Sequence, residues 1–399
     1  MVPEGWERTT VGDTLVRLSR PVAVEGDAKY RQIGIRSHGK GIFDKEAVTG
    51  TELRGKRVFW IEPDCFIVNI VFAWEQAVSR TTDAEVGKIA SHRFPMFRPR
   101  AKRCDVRFIE YYFKTPRGKY LLGIASPGGA GRNKTLGQKE FERIPLTLPP
   151  LPEQRKIADI LSTWDQAIEK TEALLSNART QKRALMQQLL TGKRRFPAFE
   201  GQPWKEVRLG DVATIDAKSL GSKTPDDFEF SYISLSNVVP GRVVGPLDRH
   251  AYGEAPSRAR RIVQRGDLLV STVRPNLMGF ARVTQTHSDC IASTGFAVVT
   301  PKKAAIGSYL YHYLFSHHMK SQVHALVVGS NYPAINSSDV KKLKINLPPL
   351  GEQKLIGEAL DNCDVQCDHL TDNLSKLRTE KKALMQQLLT GKRRVVIDA

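Results

Sequence analysis

The twelve residues ALMQQLLTGKRR occur twice in this chain, at Ala184 to Arg195 and at Ala383 to Arg394. At the same offset of 199 positions, LPPLPEQRKIADIL from Leu148 aligns without a gap with LPPLGEQKLIGEAL from Leu347. A match of this length in an otherwise non-repetitive sequence indicates that one structural frame is built twice.

The frame encloses two stretches that barely resemble each other. Residues 13–147 and 211–346 are similar in length, and each opens with a matching pattern, formed by Trp6, Gly12 and Asp13 and by Trp204, Gly210 and Asp211. A chain of 399 residues exceeds what one hydrophobic core usually serves. We therefore predict a first globule at 1–147, a first helical spacer at 148–203, a second globule at 204–346 and a second helical spacer at 347–399.

Apolar residues in each repeated segment alternate at spacings of four and three. Such a heptad seam is typical of a long helix that packs against another long helix. The pattern predicts helices from Glu153 to Leu190 and from Glu352 to Leu389, and the stretch from Ile157 to Leu189 alone would be roughly 50 Å long at ~1.5 Å per residue. Gly192 and Gly391 stand where a helix end favours a residue that tolerates positive φ. The residues predicted to form helix contacts and docking surfaces are Ile157, Leu161, Trp164, Leu175, Leu185, Leu189, Ile356, Leu360, Leu374, Leu384 and Leu388.

The two inserts have a different pattern. RVFWIEPDCFIVNIVF in the first insert, and RIVQRGDLLVSTV and CIASTGFAVVTP in the second, are β-branched and aromatic runs bounded by Gly, Pro or Asp, which predicts strands. SYLYHYLFSHHMKSQV, from Ser308, predicts one helix. The predicted fold class is α+β, with two α/β globules separated by two long helices.

Charge and composition narrow the class of partner. Lys and Arg outnumber Asp and Glu by 61 to 42, which gives a net charge of +19 spread over both halves. This excess favours a polyanionic partner. The sequence shows no apolar run of about 18 residues and no signal-peptide pattern, so we expect a cytoplasmic protein without a membrane partner. Five cysteines without a CxxC pair predict neither a disulfide framework nor a metal site.

Basic and amide side chains in glycine-rich or proline-rich loops are the candidate DNA contacts, because such groups bond phosphates and base edges. A solvated charged face and a plain surface turn remain open alternatives for each loop. In the first insert the candidates are Arg36, His38, Lys40, Arg98, Arg100, Lys102, Arg103, Arg132, Asn133 and Lys134. In the second insert they are Arg258, Arg260, Arg261, Arg274, Asn276, Asn331 and Tyr332.

Motifs that carry catalysis do not stand out. GGAGRNKT lacks the Gly that a phosphate loop needs directly before its Lys, since Asn133 stands there. NLPPL, from Asn346, lacks the aromatic residue of the Asn-Pro-Pro-aromatic loop found in amino-methyltransferases. We therefore expect a non-catalytic chain. Two alternatives are a free-standing nuclease or methyltransferase that carries such modules, and a coiled-coil adaptor that binds no DNA.

The paired segments LPPLPEQRKIADIL and LPPLGEQKLIGEAL, each followed by a helix ending in ALMQQLLTGKR and preceded by a basic globule opening with W…GD, resemble the DNA-specificity subunits of type I restriction-modification systems. The pattern covers essentially the whole chain. The resemblance implies that each insert is a target-recognition domain that reads one half of a split DNA site. It also implies that the two helices pack as an antiparallel coiled coil that spaces the domains.

The same resemblance implies partners and cofactors. Two methylation subunits are expected to dock on the repeated regions, and restriction subunits can join them. S-adenosylmethionine, ATP and Mg²⁺ are expected on those partners, with no cofactor bound by this chain. Two similar partners require two similar docking surfaces related by a pseudo-two-fold axis, which would explain why the frame is repeated.

Overall fold

The computed structural model of the protein describes residues 2–128, 134–327 and 333–397. The chain divides into two compact units, which are Met1–Thr171 with Asn373–Ala399 (unit 1) and Glu172–Asp372 (unit 2). Each unit therefore contains one globule, part of the long helix that follows that globule and part of the other long helix. Within the described ranges, no helix combines the length and the apolar character that crossing a membrane requires.

The first globule consists of short strands and helices. Its strands are β1 (Glu7–Thr10), β2 (Leu15–Leu18), β3 (Lys29–Ile35), β4 (Ile42–Thr49), β5 (Val58–Trp60), β6 (Phe66–Val68), β7 (Val78–Arg80), β8 (Ile89–Ser91), β9 (Met96–Pro99) and β10 (Pro145–Leu148). Its helices are α1 (Val11–Thr14), α2 (Val106–Phe113), α3 (Pro116–Ile124) and α4 (Gln138–Glu142), and the long helix α5 (Leu151–Leu189) follows.

The second globule follows the same plan. Its strands are β11 (Lys205–Arg208), β12 (Ala213–Ile215), β13 (Glu229–Ile233), β14 (Val238–Val239), β15 (Arg242–Val243), β16 (Asp248–Ala251), β17 (Ala259–Ile262), β18 (Leu268–Ser271), β19 (Phe280–Arg282), β20 (Ile291–Ser293), β21 (Phe296–Pro301) and β22 (Lys344–Leu347). Its helices are α6 (Leu209–Val212), α7 (Gly307–Leu314), α8 (His317–Val327) and α9 (Ser337–Lys342), before the long helix α10 (Leu350–Leu388).

Both globules have the same sheet topology despite their unlike sequences. Four-stranded sheets of order β2-β9-β6-β7 and β4-β3-β8-β5 in the first globule correspond to β12-β21-β18-β19 and β16-β13-β20-β17 in the second. In each globule one inner pair is parallel, β3 with β8 and β13 with β20. The pairs β1–β10 and β11–β22 bring the two ends of each insert together beside the start of a long helix. Each insert is therefore a closed module with adjacent ends.

The long helices run antiparallel within each unit, as the sequence predicted. In unit 1, Glu153 near the start of α5 pairs with Arg394, just beyond the end of α10. Asp165, further along α5, pairs with Lys381, which lies earlier in the chain than Arg394, so the two helices run in opposite directions. Unit 2 repeats these ion pairs as Glu352 with Arg195 and Asp364 with Lys182. The observed helices begin two residues before, and end one residue before, the predicted bounds.

Each globule shares its main core with both long helices. In unit 1, Ile157 and Leu161 are fully buried in one cluster with Phe108, Leu388 and Leu389. In unit 2, Ile356 and Leu360 are fully buried in one cluster with Tyr309, Leu189 and Leu190. The first apolar turns of each helix therefore anchor the preceding globule, and the last turns of the other helix complete the same core.

The segment predicted as one helix from Ser308 is two helices. Helix α7 ends at Leu314 and α8 begins at His317. The break arises because the buried Ser316 hydroxyl accepts a hydrogen bond from the Met319 amide at 3.2 Å, as an N-cap residue does. Apolar residues on both sides of the break hid this cap in the sequence.

Candidate nucleic-acid interface

Three backbone hydrogen bonds join separate loops at one edge of the first globule. The Ile70 amide donates to the Arg93 carbonyl at 3.0 Å, and the Leu136 amide donates to the Ile70 carbonyl at 2.8 Å. The His92 amide donates to the Arg57 carbonyl at 3.1 Å. We call this joined surface rim 1, formed by loops 54–57, 69–76, 92–95 and 134–136.

The second globule makes the same three bonds with other residues. The Thr272 amide donates to the Gly295 carbonyl at 2.8 Å, and the Ile335 amide donates to the Thr272 carbonyl at 2.9 Å. The Thr294 amide donates to the Arg258 carbonyl at 2.8 Å. We call this surface rim 2, formed by loops 256–258, 272–279, 294–295 and 333–336. Because the bonds are made by backbone groups, the scaffold is kept while the side chains differ.

The central loop of each rim has the same turn geometry. A single 3-10 turn, Ala73–Glu75 in rim 1 and Pro275–Leu277 in rim 2, ends at a left-handed residue, Gln76 at φ +59° or Met278 at φ +54°. Apolar side chains lie exposed there, with Phe72 at 37% and Leu277 at 63% exposure. The central loops thus expose apolar side chains near the turn, Phe72 in rim 1 and both Val273 and Leu277 in rim 2.

Cationic side chains surround these turns. In rim 1, Arg57 and Arg93 are exposed, and the Lys134 ammonium lies 5.7 Å from the Trp74 ring centroid. In rim 2, Arg258 and Arg274 are exposed beside Asn276. None of these four arginines forms an ion pair with another residue in the described part of the chain. Unpaired, exposed guanidinium groups on a common surface are suited to phosphate oxygens.

One predicted loop joins rim 1. The turn after β3 carries the exposed candidates Arg36, His38 and Lys40. The His38 amide donates to the Glu75 carbonyl at 2.6 Å, and the Ser37 hydroxyl donates to the Glu75 carboxylate at 2.9 Å. These bonds place the three candidates next to the central turn of rim 1.

The predicted cluster after Phe97 lies elsewhere in the first globule, and most of it is already bonded. Arg98 is 3.8 Å from the Glu62 carboxylate, Arg103 is 3.1 Å from Glu7, and the Arg100 Nε donates to the Gly12 carbonyl at 3.0 Å. Glu7 and Gly12 belong to β1 and α1, beside the repeated frame. Lys102 is exposed, with a left-handed φ of +59°.

The remaining candidates differ in placement. Arg261 is partly buried and forms an ion pair with Asp216 at 2.8 Å, while the guanidinium of Arg260 lies 4.7 Å from the Tyr252 ring centroid. Neither side chain is as exposed as that of Arg258. The candidates Arg132, Asn133, Asn331 and Tyr332 lie outside the described residues.

Sequence reasoning missed Arg57 and Arg93, which the backbone bonds bring together from two turns. Each stands alone in the sequence, so a search for basic clusters passes over both. It also missed the repeated Glu-Gln pair at the start of each long helix. A signal was available there, since both residues are identical in the two copies.

The glutamate of this pair holds the end of the opposite helix. In unit 2, the fully buried Glu352 carboxylate accepts from Arg195 at 2.6 and 2.8 Å and from the Trp204 indole at 3.0 Å. In unit 1, the fully buried Glu153 carboxylate accepts from Arg394 at 2.6 and 2.7 Å. Both arginines come from the GKRR end of the repeat, so two repeated motifs are bonded to each other.

The glutamine of the pair holds the globule. In unit 1, the Gln154 side chain accepts from the Asp105 amide at 2.9 Å, just before α2. In unit 2, Gln353 accepts from the Ile306 amide at 2.9 Å, just before α7. The motifs PEQ and GEQ therefore fix the globule and the opposite helix to one point in each unit.

The predicted seam residues lie along these helices with unequal burial. Ile157, Leu161, Leu175 and Leu189, and the counterparts Ile356, Leu360, Leu374 and Leu388, are buried, whereas Trp164, Leu185 and Leu384 are partly buried. Lys182 and Lys381 occupy polar positions of the seam, where Asp364 and Asp165 neutralise them. These ion pairs explain how a lysine is accommodated between two packed helices.

A titratable cluster joins the second globule to its helices. The fully buried His312 ring donates through Nε2 to the Asp361 carboxylate at 2.9 Å, and its Nδ1 lies 3.9 Å from Asp364. One ligand atom from each of the three residues lies within 4.8 Å of the others, which is a spacing that a metal ion could use. However, Arg282 forms two hydrogen bonds to Asp361, and Lys182 pairs with Asp364. The cluster is therefore balanced in charge by its own cations.

Acidification should weaken unit 2 through His312. Burial lowers the pKa of His312 below its ordinary value, and the positive charge of Lys182 acts in the same direction. The unfolded chain, with a His pKa of about 6.5, therefore takes up a proton at a higher pH than the folded unit. The stability contributed by neutral His312 is complete above pH ~6.5 and falls as the pH drops through the folded pKa.

The matched variant is His312→Tyr, because Tyr111 occupies the equivalent place in unit 1, where its hydroxyl donates to Asp165 at 2.7 Å. We expect amide hydrogen exchange in residues 307–314 to accelerate between pH 7.5 and 5.5, relative to the intrinsic rate, in the natural chain but much less in the variant. The groups that face the ring, Asp361, Asp364, Lys182 and Arg282, stay unchanged. Equal acid sensitivity in both proteins would exclude His312 as the cause.

Comparison with known proteins agrees with this architecture. The family model described as "Type I restriction modification DNA specificity domain" matches residues 56–176 and 201–377, one match in each half of the repeat. The MjaVIII specificity subunit of a type I restriction enzyme from Methanocaldococcus jannaschii is 24% identical over 424 residues, covering 99% of this chain and 94% of that protein. The putative MjaX specificity subunit of the same organism is 23% identical over 325 residues, covering 75% of this chain and 71% of that protein.

Solved structures share the fold. The S subunit of a type I restriction-modification system from M. genitalium aligns with a TM-score of 0.63 at 14% identity, over 97% of this chain and 99% of that one. A chain from a study of complex assembly and conformational transition of the type I R-M system aligns with a TM-score of 0.55 at 19% identity, over 98% of this chain and 100% of that one. At such identities the likeness concerns the fold, with two α/β globules and long helices.

Proposed function

The chain belongs to the family of type I restriction modification DNA specificity domains, and from that membership we propose that it reads a bipartite site on double-stranded DNA, one half-site with each globule. It is a non-catalytic specificity subunit, and the chemistry takes place on other subunits. Two modification subunits dock on the repeated frame, and restriction subunits can join them. S-adenosylmethionine, ATP and Mg²⁺ are bound by these partners.

The observation that carries this proposal is the pair of rims. Both have the same backbone bonds, the same 3-10 turn and exposed arginines, yet their side chains differ. A common scaffold fixes how each globule approaches the DNA backbone, while different side chains on the same loops allow different bases to be read. This arrangement suits two unrelated half-sites held by one chain.

The ion pairs of the repeated frame support the proposal that the chain recognises DNA and assembles with its partners through different residues. Glu153 with Arg394 and Glu352 with Arg195 repeat one contact in both units, and neither contact uses a rim residue. Repeated contacts provide the same surroundings for two copies of one partner. Recognition and assembly therefore rest on different residues of the chain.

Exchange of one insert tests the proposal. Replacing residues 13–147 with the corresponding segment of a related specificity subunit should change one half of the methylated site and leave the other half intact. The adjacent ends of the insert, joined by the β1–β10 pair, make the exchange feasible. Methylation mapping of genomic DNA, with the modification subunits present, gives the recognised sequence.

The reciprocal exchange of residues 211–346 is the matched control and should change the other half-site. Complex assembly should persist in both chimeras. A chimera in which both half-sites change together would show that recognition is a joint property of the two globules.

A further inference from the structure

The central turn of rim 2 holds an apolar side chain out into solvent. Leu277 is 63% exposed, although Pro275 of the same turn is buried and Met278, which follows the turn, packs against the main core of unit 2. The residues on both sides of Leu277 are therefore seated in the globule while Leu277 is not. Leaving a leucine in water forgoes the free energy that its burial would provide, which suggests that a ligand covers it.

Backbone hydrogen bonds fix the turn in the conformation that exposes Leu277. The Arg274 amide donates to the Pro333 carbonyl at 2.7 Å, and the Leu277 amide donates to the Arg274 carbonyl at 3.0 Å. Arg274 and Met278, on either side of the turn, are both left-handed, at φ +50° and +54°. This conformation is unfavourable for residues with a Cβ atom, and it persists where the surrounding structure holds it. The leucine is thus held in place before any ligand binds.

Exposed cations accompany this leucine. Arg274 precedes the turn, and Arg258 lies on the loop that the Thr294 amide joins to the rim. Neither arginine forms an ion pair with another residue among residues 2–128, 134–327 and 333–397. A DNA duplex combines stacked bases with anionic phosphates, so it can meet an apolar side chain and cations on one surface.

Rim 1 carries a different residue at this position. The residue before the left-handed end of the turn is Leu277 in rim 2 and Glu75 in rim 1. The Glu75 carboxylate accepts a hydrogen bond from the Ser37 hydroxyl at 2.9 Å. A partner protein that bound both halves of the repeat alike would need similar residues at this position. The difference favours a ligand that is itself different at the two rims, as two unlike DNA half-sites are.

Building on the proposed function, we infer that Leu277 inserts as a wedge between two neighbouring base pairs of the half-site bound by the second globule. Inserted apolar side chains unstack a base step in this way and kink the duplex. Arg258 and Arg274 bind phosphates beside that step. Pyrimidine–purine steps are the easiest to unstack, so the wedge selects such a step without a hydrogen bond to its bases. Rim 1 inserts no wedge from this position, because Glu75 would place a carboxylate there.

The fluorescence of 2-aminopurine, which rises when the base is unstacked, locates the step. The natural chain with its modification subunits is bound to duplexes that carry the site found by methylation mapping. In each duplex, 2-aminopurine replaces one adenine of the second half-site or of its flanks, on either strand. Fluorescence should rise at one step with the natural chain and stay low there with Leu277→Ala. The methylated adenine is the internal control, because methyltransferases take their target base out of the stack and this signal should persist in the variant.

Further variants assign the effect to the side chain. Leu277→Ala should weaken binding of the mapped site about fivefold and reduce the bend measured by energy transfer between dyes at the duplex ends. Leu277→Met keeps a long apolar side chain and should restore most of both. Phe228→Ala is the matched control and should change neither, because Phe228 is an exposed apolar residue of the same globule. It precedes β13, which is parallel to β20, and so lies at the opposite end of this strand pair from Thr294 of rim 2.

Exchange of the DNA step supplies a readout that a merely structural role of Leu277 would not move. Replacing the unstacked pyrimidine–purine step with a stiff A-tract step should weaken binding by the natural chain about fivefold. The same exchange should barely change binding by Leu277→Ala, since only the natural chain unstacks the step.

The outcomes separate this inference from the proposed function. Equal fluorescence, bending and step preference in the natural chain and in Leu277→Ala would overturn the inference and leave the specificity function standing. Loss of a modification subunit from the Leu277→Ala complex in native mass spectrometry, with unchanged unstacking, would assign Leu277 to a protein contact and overturn the inference as well. If the natural chain and its modification subunits methylated no bipartite site, the proposed function would fail, and this inference with it.

Discussion

Arg195→Ala is expected to destabilise unit 2 by about 3–5 kcal/mol, because it leaves the carboxylate of Glu352 buried without its cationic partner. The Glu352 side chain has no solvent exposure, and Arg195 supplies two of its three side-chain donors at 2.6 and 2.8 Å. The Trp204 indole, at 3.0 Å, remains as a neutral donor. Chemical denaturation followed by hydrogen exchange within unit 2 measures the loss.

Arg394→Ala is the matched control and should cost less. Arg394 holds the equally buried Glu153, but its side chain is 43% exposed, whereas that of Arg195 is 19% exposed. Water can therefore reach Glu153 more readily once the guanidinium is gone. Equal losses in the two units would contradict this role of solvent access.

The double variant Arg195→Met with Glu352→Met tests whether the instability of Arg195→Ala comes from the buried carboxylate that is left without a cation. Replacing both partners removes the unpaired charge, so most of the stability lost in Arg195→Ala should return. A double variant as unstable as Arg195→Ala would mean that the arginine acts mainly through its other bonds, to the Phe199 and Gln202 carbonyls at 2.8 and 3.0 Å.

The helices were predictable because their information is local and periodic. The four-three spacing of apolar residues determines which face is buried, and Gly192 and Gly391, at φ +69° and +70°, end the helices where the sequence placed the ends. The same pattern did not predict the partners of Lys182 and Lys381. Those partners, Asp364 and Asp165, come from the opposite helix, and the antiparallel register that joins them is a property of the folded chain.

The rims were less predictable from the sequence, because the loops that form them are brought together only in the folded chain. The turns of Arg57 and Arg93 are joined by the bond from the His92 amide to the Arg57 carbonyl, and the bond from the Ile70 amide to the Arg93 carbonyl joins the second turn to the central loop. By contrast, Arg98, Arg100 and Arg103 were predicted to contact DNA, because they lie close together in a basic stretch of the sequence. In the folded globule, Arg98 and Arg103 form ion pairs with Glu62 and Glu7, and the Arg100 Nε donates to the Gly12 carbonyl, contacts that the sequence pattern did not predict.

Removing the cations of rim 1 should produce the largest loss of DNA binding. We expect Arg57→Ala with Arg93→Ala and Lys134→Ala to flatten the log-log salt dependence by about 0.9 for each phosphate contact that is lost, with at least a ~10-fold weaker affinity at moderate salt. The reason is that Arg57 and Arg93 are exposed and unpaired among the described residues, so their charge is free for phosphates. Fluorescence anisotropy with a labelled duplex, over a series of KCl concentrations and with the modification subunits present, gives both quantities.

The matched control is Arg98→Ala with Arg100→Ala and Arg103→Ala, which also removes three positive charges. If net charge alone governed binding, the two triple variants would behave alike, because each lowers the overall +19 by three. If local geometry governs binding, the control should keep most of the salt slope, since Arg98 and Arg103 already face Glu62 and Glu7. A control that flattens the slope more than the rim variant would move the DNA interface of the first globule from the rim to the side beside β1. Rim 2 then offers an independent check, because Arg258→Ala with Arg274→Ala should weaken binding through the other half-site whichever side of the first globule contacts DNA.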